Sequence, residues 1–201
     1  MEQLRVLIVD DHPVFRQGLR DILETESDFE IVGEAADGQE ALHLSRELCP
    51  DVILMDINLP TMNGLQVTRQ IKGEQGDIKV IMLTGYDNEE QVLHAMRAGA
   101  SAYCPKDILP DDLIRIIETA VDGYYVIGQE KLTAEGIKNW LEGELVERAT
   151  AFGQSVDEMF MPLSPREMLK SEFDTTTAPP RMSSTASSRP SGSRRFANWL
   201  S

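Results

Sequence analysis

From Leu4 to about Gly123 the chain alternates five short aliphatic runs with five segments of helical periodicity, an alternation that few folds can satisfy. The runs are Leu4 to Val9, Glu30 to Glu34, Val52 to Met55, Lys79 to Leu83 and Ala102 to Cys104. Between them, Pro13 to Leu23, Gln39 to Glu47, Gly64 to Lys72, Glu89 to Ala98 and Pro110 to Ala120 place apolar residues at three- and four-residue steps. The helix punctuation agrees: Asp37 and Asn88 stand as N-caps, Pro13 and Pro110 suit first turns, and Gly99 follows a last turn. Alternating strands and helices imply a parallel sheet covered by helices on both faces. In such sheets ligands bind beyond the carboxyl ends of the strands, so the loops after Val9, Met55, Leu83 and Tyr103 are where chemistry is expected.

At 201 residues the chain has room for one well-cored domain and a smaller appendix. Its 41% hydrophobic and 26% charged residues are those of an ordinary globular protein. A net charge of −15 argues against nucleic-acid binding by the bulk surface, because phosphate contacts need clustered Lys and Arg. No apolar run approaches the roughly 18 residues of a membrane span, and the expected location is the cytoplasm. Cys49 and Cys104 sit in apolar segments without CxxC spacing, which predicts reduced core thiols.

The acidic residues are informative by position. Asp10 and Asp11 end the first strand and Asp56 ends the third, so three carboxylates crowd one edge of the sheet. Like charges at close range disfavour joint ionisation, and an oxygen-preferring divalent cation, Mg²⁺ first, relieves that cost. Asp56 is then a candidate nucleophile, able to form an acyl phosphate when cations offset charge on the phosphoryl oxygens. Thr84 closes the fourth strand and Lys106 follows the fifth, adding a hydroxyl and an ammonium at the same edge. Gly85 leaves room beside the Thr84 hydroxyl, and Tyr103 lies next to the cluster on the last strand. Taken singly these residues read as a helix cap, a strand former and a solvated Lys; their joint placement at four strand ends is what points to a site. His12 is expected to be a solvated or capping residue rather than a ligand.

Asp10-Asp11, Asp56 with the following Ile57-Asn58-Leu59-Pro60-Thr61-Met62-Asn63-Gly64, Thr84, Tyr103 and Lys106 together resemble the receiver domain of bacterial response regulators, over residues 1 to about 123. Asp11-His12-Pro13 and Lys106-Asp107 look closest to the NarL/FixJ subfamily, whose members carry a LuxR-type helix-turn-helix. The resemblance implies a flavodoxin-like, doubly wound, five-stranded parallel sheet. It implies Mg²⁺ ligated by Asp11, Asp56 and the main-chain carbonyl of Asn58, with Asp10 acting through water. It also implies phosphoryl transfer from a sensor histidine kinase, with Thr84 and Tyr103 relaying the change to the fourth helix, fifth strand and fifth helix. A homodimer would use that surface or the linker helix, and the protein would be a switch limited to self-phosphotransfer and autodephosphorylation.

Beyond Gly123 the rhythm changes. Residues 124–162 read as a linker with an amphipathic helix over Glu130 to Phe152, whose apolar face holds Ile137, Trp140, Leu141, Leu145, Ala149 and Phe152. Leu163-Ser164-Pro165-Arg166-Glu167 resembles the opening of a LuxR-type DNA-binding domain, and residues 163–170 are read as its remnant. The last 31 residues hold eight Ser, four Thr, three Pro and one Gly, with four Arg against Glu172 and Asp174, and read as a disordered tail. A frameshift, a truncation or a vector-derived end is the expected origin of that tail, and specific operator binding is expected to be lost. Two other readings are a stand-alone receiver acting by protein contact and an aspartate-nucleophile phosphohydrolase. The latter would want a second Asp two residues after its nucleophile, where Asn58 stands.

Overall fold

A computed structural model describes residues 3–85 and 89–152. Thirteen elements follow in chain order: β1 (Leu4–Val9), α1 (Pro13–Glu24), β2 (Phe29–Ala35), α2 (Gly38–Leu48), β3 (Val52–Asp56), α3 (Gly64–Glu74), β4 (Lys79–Thr84), α4 (Glu89–Ala98), β5 (Ala102–Pro105), α5 (Pro110–Val121), β6 (Tyr125–Ile127), β7 (Glu130–Leu132) and α6 (Ala134–Phe152). The strands form one sheet in the order β2-β1-β3-β4-β5-β6-β7. All neighbours are parallel except the terminal pair β6 and β7.

The two faces of this sheet explain why β1, β3 and β4 are almost wholly aliphatic. Leu7, Val9, Ile53, Met55, Val80, Met82 and Tyr103 point to one core, which α2, α3, α4 and α6 cover with residues such as Ala41, Val67, Ile71, Val92, Met96 and Ile137. Their alternate neighbours Val6, Ile8, Val52, Leu54, Ile81, Leu83 and Cys104 point to the other, covered by α1 and α5 through Leu19, Leu23, Leu113 and Ile117. A strand buried on both faces has no polar alternation to show.

Helix starts follow the expected chemistry. Asp37 caps α2 by accepting from the Gln39 and Glu40 N–H groups at 2.8 and 3.0 Å. Asn63 caps α3 by accepting from the Leu65 N–H at 2.8 Å. Helices α1 and α5 begin with Pro13 and Pro110 and have no side-chain cap. The expected cap Asn88 lies outside the described residues, as do the segment 163–170 and the tail 171–201.

Three expectations are corrected. The sheet has seven strands rather than five: β6 pairs with β5, and β7 folds back on β6 across Gly128-Gln129, with Gly128 at φ 63°. The helix predicted from Glu130 therefore starts at Ala134, behind Thr133, whose Oγ1 accepts from the Gly136 N–H at 3.1 Å. Its apolar face is buried as expected at Ile137 and Leu145, and Trp140 and Leu141 pack against the first core. Finally, Cys104 is a core thiol but Cys49 is exposed. Cys49 ends α2 in the left-handed region at φ 45°, which turns it out of the core despite its apolar neighbours.

Candidate functional site

The parallel sheet brings the carboxyl ends of β1, β3, β4 and β5 to one edge, and the predicted residues meet there. Asp10, Asp56 and Thr84 are buried. Lys106 Nζ lies 2.6 Å from Asp10 Oδ2 and 2.8 Å from Asp56 Oδ2, bridging the two carboxylates. Main-chain donors hold the other oxygens: the His12 N–H donates to Asp10 Oδ1 at 2.8 Å and the Asn58 N–H to Asp56 Oδ1 at 3.2 Å. The Asn58 residue is exposed. The imidazole of His12 is 68% exposed, makes no side-chain cap, and contacts Asp11 through Nδ1 at 2.6 Å.

Electrostatics follow from this packing. Burial pushes the Asp56 carboxyl above its ordinary value, the Lys106 hydrogen bond pulls it back, and the charge of Asp10 raises it again. For Lys106, burial acts to lower the ammonium value, but the hydrogen bonds to Asp10 and Asp56 more than offset it and the net direction is upward. Donor atoms of Asp10, Asp11, His12 and Asp56 all lie within 4.8 Å of one another. Among the described residues, Asp10 Oδ2 and Asp11 Oδ1 are buried and accept no hydrogen bond of good geometry, their neighbours being the Lys106 and His12 nitrogens. Oxygen atoms so placed, with lone pairs to spare beside a third carboxylate, suit a hard divalent cation.

The loop after β3 is held in a defined shape. Thr61 holds a left-handed φ of 67°, a strained conformation for a β-branched residue, and the Gly64 N–H donates to the Ile57 carbonyl at 2.9 Å.

Several residues of the site escaped the sequence reading. Arg16 Nη1 donates to the Asp10 carbonyl at 2.6 Å, and the Phe15 ring lies under Lys106 Nζ at 4.8 Å. Gln91, on the first turn of α4, accepts through Oε1 from the Thr84 hydroxyl and from the Tyr103 hydroxyl, each at 3.4 Å. Tyr103 is thus turned inward, with 5% of its surface exposed. Phe15 and Arg16 had a signal in the start of α1 directly after the acidic pair. Gln91 had only its polarity, one turn before the buried Ala95.

A doubly wound sheet with a buried, Lys-bridged aspartate pair at its carboxyl edge defines the response regulator receiver domain. That family matches residues 6–118, more than half of the chain, and the chain belongs to it. The transcriptional regulatory protein DegU of Brevibacillus brevis is 38% identical over 138 residues, which are 69% of this chain and 58% of DegU. Among solved structures, the signal receiver domain of a NarL response regulator from Mycobacterium tuberculosis superposes with a TM-score of 0.60 at 32% identity, covering 61% of this chain and 99% of that one. A LuxR-family two-component response regulator from Aurantimonas gives the same TM-score at 33% identity, over 72% of this chain and 99% of its own. The domain is a receiver of the NarL and LuxR type, and the chain spans just under three fifths of the curated relative's length.

Proposed function

We propose that this receiver accepts a phosphoryl group on Asp56 from a phosphohistidine of a sensor histidine kinase. The observation that carries the reading is the 2.8 Å pairing of the buried Asp56 carboxylate with Lys106 at an edge shared with Asp10, Asp11 and Thr84. In the transfer, an Asp56 carboxylate oxygen forms a bond to phosphorus while the P–N bond of phosphohistidine breaks. The imidazole keeps the electron pair and takes up a proton. Lys106 offsets charge on the phosphoryl oxygens, and the Thr84 hydroxyl turns to donate to one of them. Asp11, Asp56 and the Asn58 carbonyl would hold Mg²⁺, with Asp10 acting through water. When bound, the ion supplies positive charge to the phosphoryl oxygens and relieves repulsion among the carboxylates.

Thr84 and Tyr103 relay the change to α4, β5 and α5. The family resemblance and the name of the DegU relative support an output in transcription. Among the described residues no helix is long and apolar enough to cross a membrane. As the partner of a sensor kinase, the receiver would work in the cytoplasm. The protein acts as a switch, with chemistry limited to its own phosphorylation and dephosphorylation. A homodimer on the face of α4, β5 and α5 must accommodate β6, which pairs with β5, and α6, which packs on α4. Such a dimer uses the outer sides of these helices rather than an open strand edge.

The test is incubation with acetyl phosphate and Mg²⁺ followed by intact mass. One phosphoryl adduct is expected on the wild-type chain and none on Asp56→Asn; absence of an adduct from the wild-type protein refutes the assignment.

A further inference from the structure

We propose that Gln91 is a positioning residue that holds the Thr84 hydroxyl in the unphosphorylated state and so sets how readily phosphorylation is registered by α4. The proposal rests on Asp56 being the acceptor, and it goes beyond that reading by naming the group against which the switch must work.

An amide oxygen has two lone pairs and a hydroxyl has one proton to donate. Gln91 Oε1 accepts from Thr84 Oγ1 and from Tyr103 Oη, each at 3.4 Å, so a single side chain ties the ends of β4 and β5 together. The Thr84 proton cannot serve Gln91 and a phosphoryl oxygen at once. Phosphorylation of Asp56 that recruits Thr84 therefore breaks the Thr84 to Gln91 hydrogen bond, while the Tyr103 bond to the same oxygen can remain. The cost of that break belongs to the resting state, and Gln91 contributes to it.

The position of Gln91 gives the break a consequence. Gln91 is the third residue of α4, and the same helix buries Val92, Leu93, Ala95 and Met96 in the sheet. Helix α4 also packs against α6, where Trp140 sits on the shared core. Releasing the Thr84 hydrogen bond to the first turn of α4 loosens the helix where it meets the pocket, and α6 lies against its flank.

The experiment uses the full chain and acetyl phosphate with Mg²⁺, reading the phosphorylated fraction at steady state by intact mass. Gln91→Leu removes the acceptor at similar size and should lower the donor concentration for half-maximal modification by about three- to tenfold, the range of one modest hydrogen bond. Gln91→Glu keeps an acceptor oxygen, strengthens it with charge, and should shift the midpoint the other way. Both shifts should vanish in a Thr84→Ala background. In a Trp199→Phe chain, Trp140 emission should change on modification of the wild type and be already shifted in Gln91→Leu. Shifts of the same sign for Leu and Glu, shifts that persist without Thr84, or no shift at all would overturn the role of Gln91 while an adduct on Asp56 leaves the acceptor assignment standing. No adduct on the wild-type chain refutes both. Gln91→Met replaces Gln91→Leu if the latter fails to fold by circular dichroism.

Discussion

Gly64 sets its Cα against the main-chain carbonyl of Asp56, so closely that a β-carbon at residue 64 would overlap that oxygen. The backbone under the acceptor is thus positioned by a residue without a side chain. Gly64→Ala should displace the β3 end, destabilise the protein by about 2 kcal/mol, as overpacking usually does, and suppress phosphorylation together with stability. Gly73 on α3 has nothing within 4 Å of a built β-carbon, and Gly73→Ala should instead add about 0.5 to 1 kcal/mol. Urea midpoints of the two variants moving in the same direction would contradict this contrast.

Lys106 is the only cation within ion-pairing distance of both Asp10 and Asp56 among the described residues. Lys106→Met leaves two buried carboxylates facing each other, a cost of about 2 kcal/mol once the partial exposure of the Lys is allowed for. Mg²⁺ should restore part of that stability and raise the melting temperature of the variant more than that of the wild type, whereas EDTA should lower both. The adduct yield at a fixed acetyl phosphate concentration should fall at least about tenfold, the effect of roughly one lost charge-assisted contact. Equal Mg²⁺ shifts in the two proteins would argue against a shared site.

Glu34 accepts from Arg16 Nε at 3.1 Å and pairs with the Arg20 guanidinium. Burial alone would raise its carboxyl value, but the hydrogen bonds from Arg20 and Arg16 prevail and hold it below the ordinary one. A carboxylate with a depressed folded value contributes stability above its unfolded pKa of about 4.3, and that contribution is lost as pH falls through the folded value. Glu34→Gln should therefore be less stable than wild type at neutral pH and lose less on acidification below about pH 4.3. Parallel stability profiles for the two proteins would show that the pair is not coupled to folding.

The two thiols should report the fold directly. Cys49 is exposed, while Cys104 is fully buried with its thiol pushed up to about 12. A thiol reagent such as DTNB should titrate one group per chain in buffer and the second only in denaturant. Two rapid equivalents under native conditions would place Cys104 at an accessible surface.

Much of this architecture is legible in the chain because β1, β3 and β4 are buried on both faces and so carry nearly continuous aliphatic runs, while β2 at the sheet margin is only partly buried and admits Glu30 and Glu34. The ends of the first five strands fall within a residue or two of the expected positions, and the four strand ends carry the acidic, hydroxyl and basic groups in order. The hairpin of β6 and β7 is not legible in the same way. Glu130, Lys131 and Leu132 form a short strand of residues that locally suit a helix, and only pairing with Tyr125, Val126 and Ile127 makes them extended. Gln91 is invisible for a different reason. Its bond to Thr84 depends on how α4 is rotated over the sheet, which no local pattern encodes. Cys49 stands outside the core because the chain turns left-handed where α2 ends, a feature that hydropathy does not encode.

The hairpin also changes the mechanical situation of Tyr103. Its residue is bonded along one margin to Met82 on β4 and along the other to Ile127 on β6. A strand clasped on both sides cannot slide or peel without tearing two ladders, so the backbone around Tyr103 serves as a fixed anvil. Rearrangement at the pocket is then expected to fall on side chains and on the flanking helices α4 and α5 rather than on a sliding of β5 within the sheet.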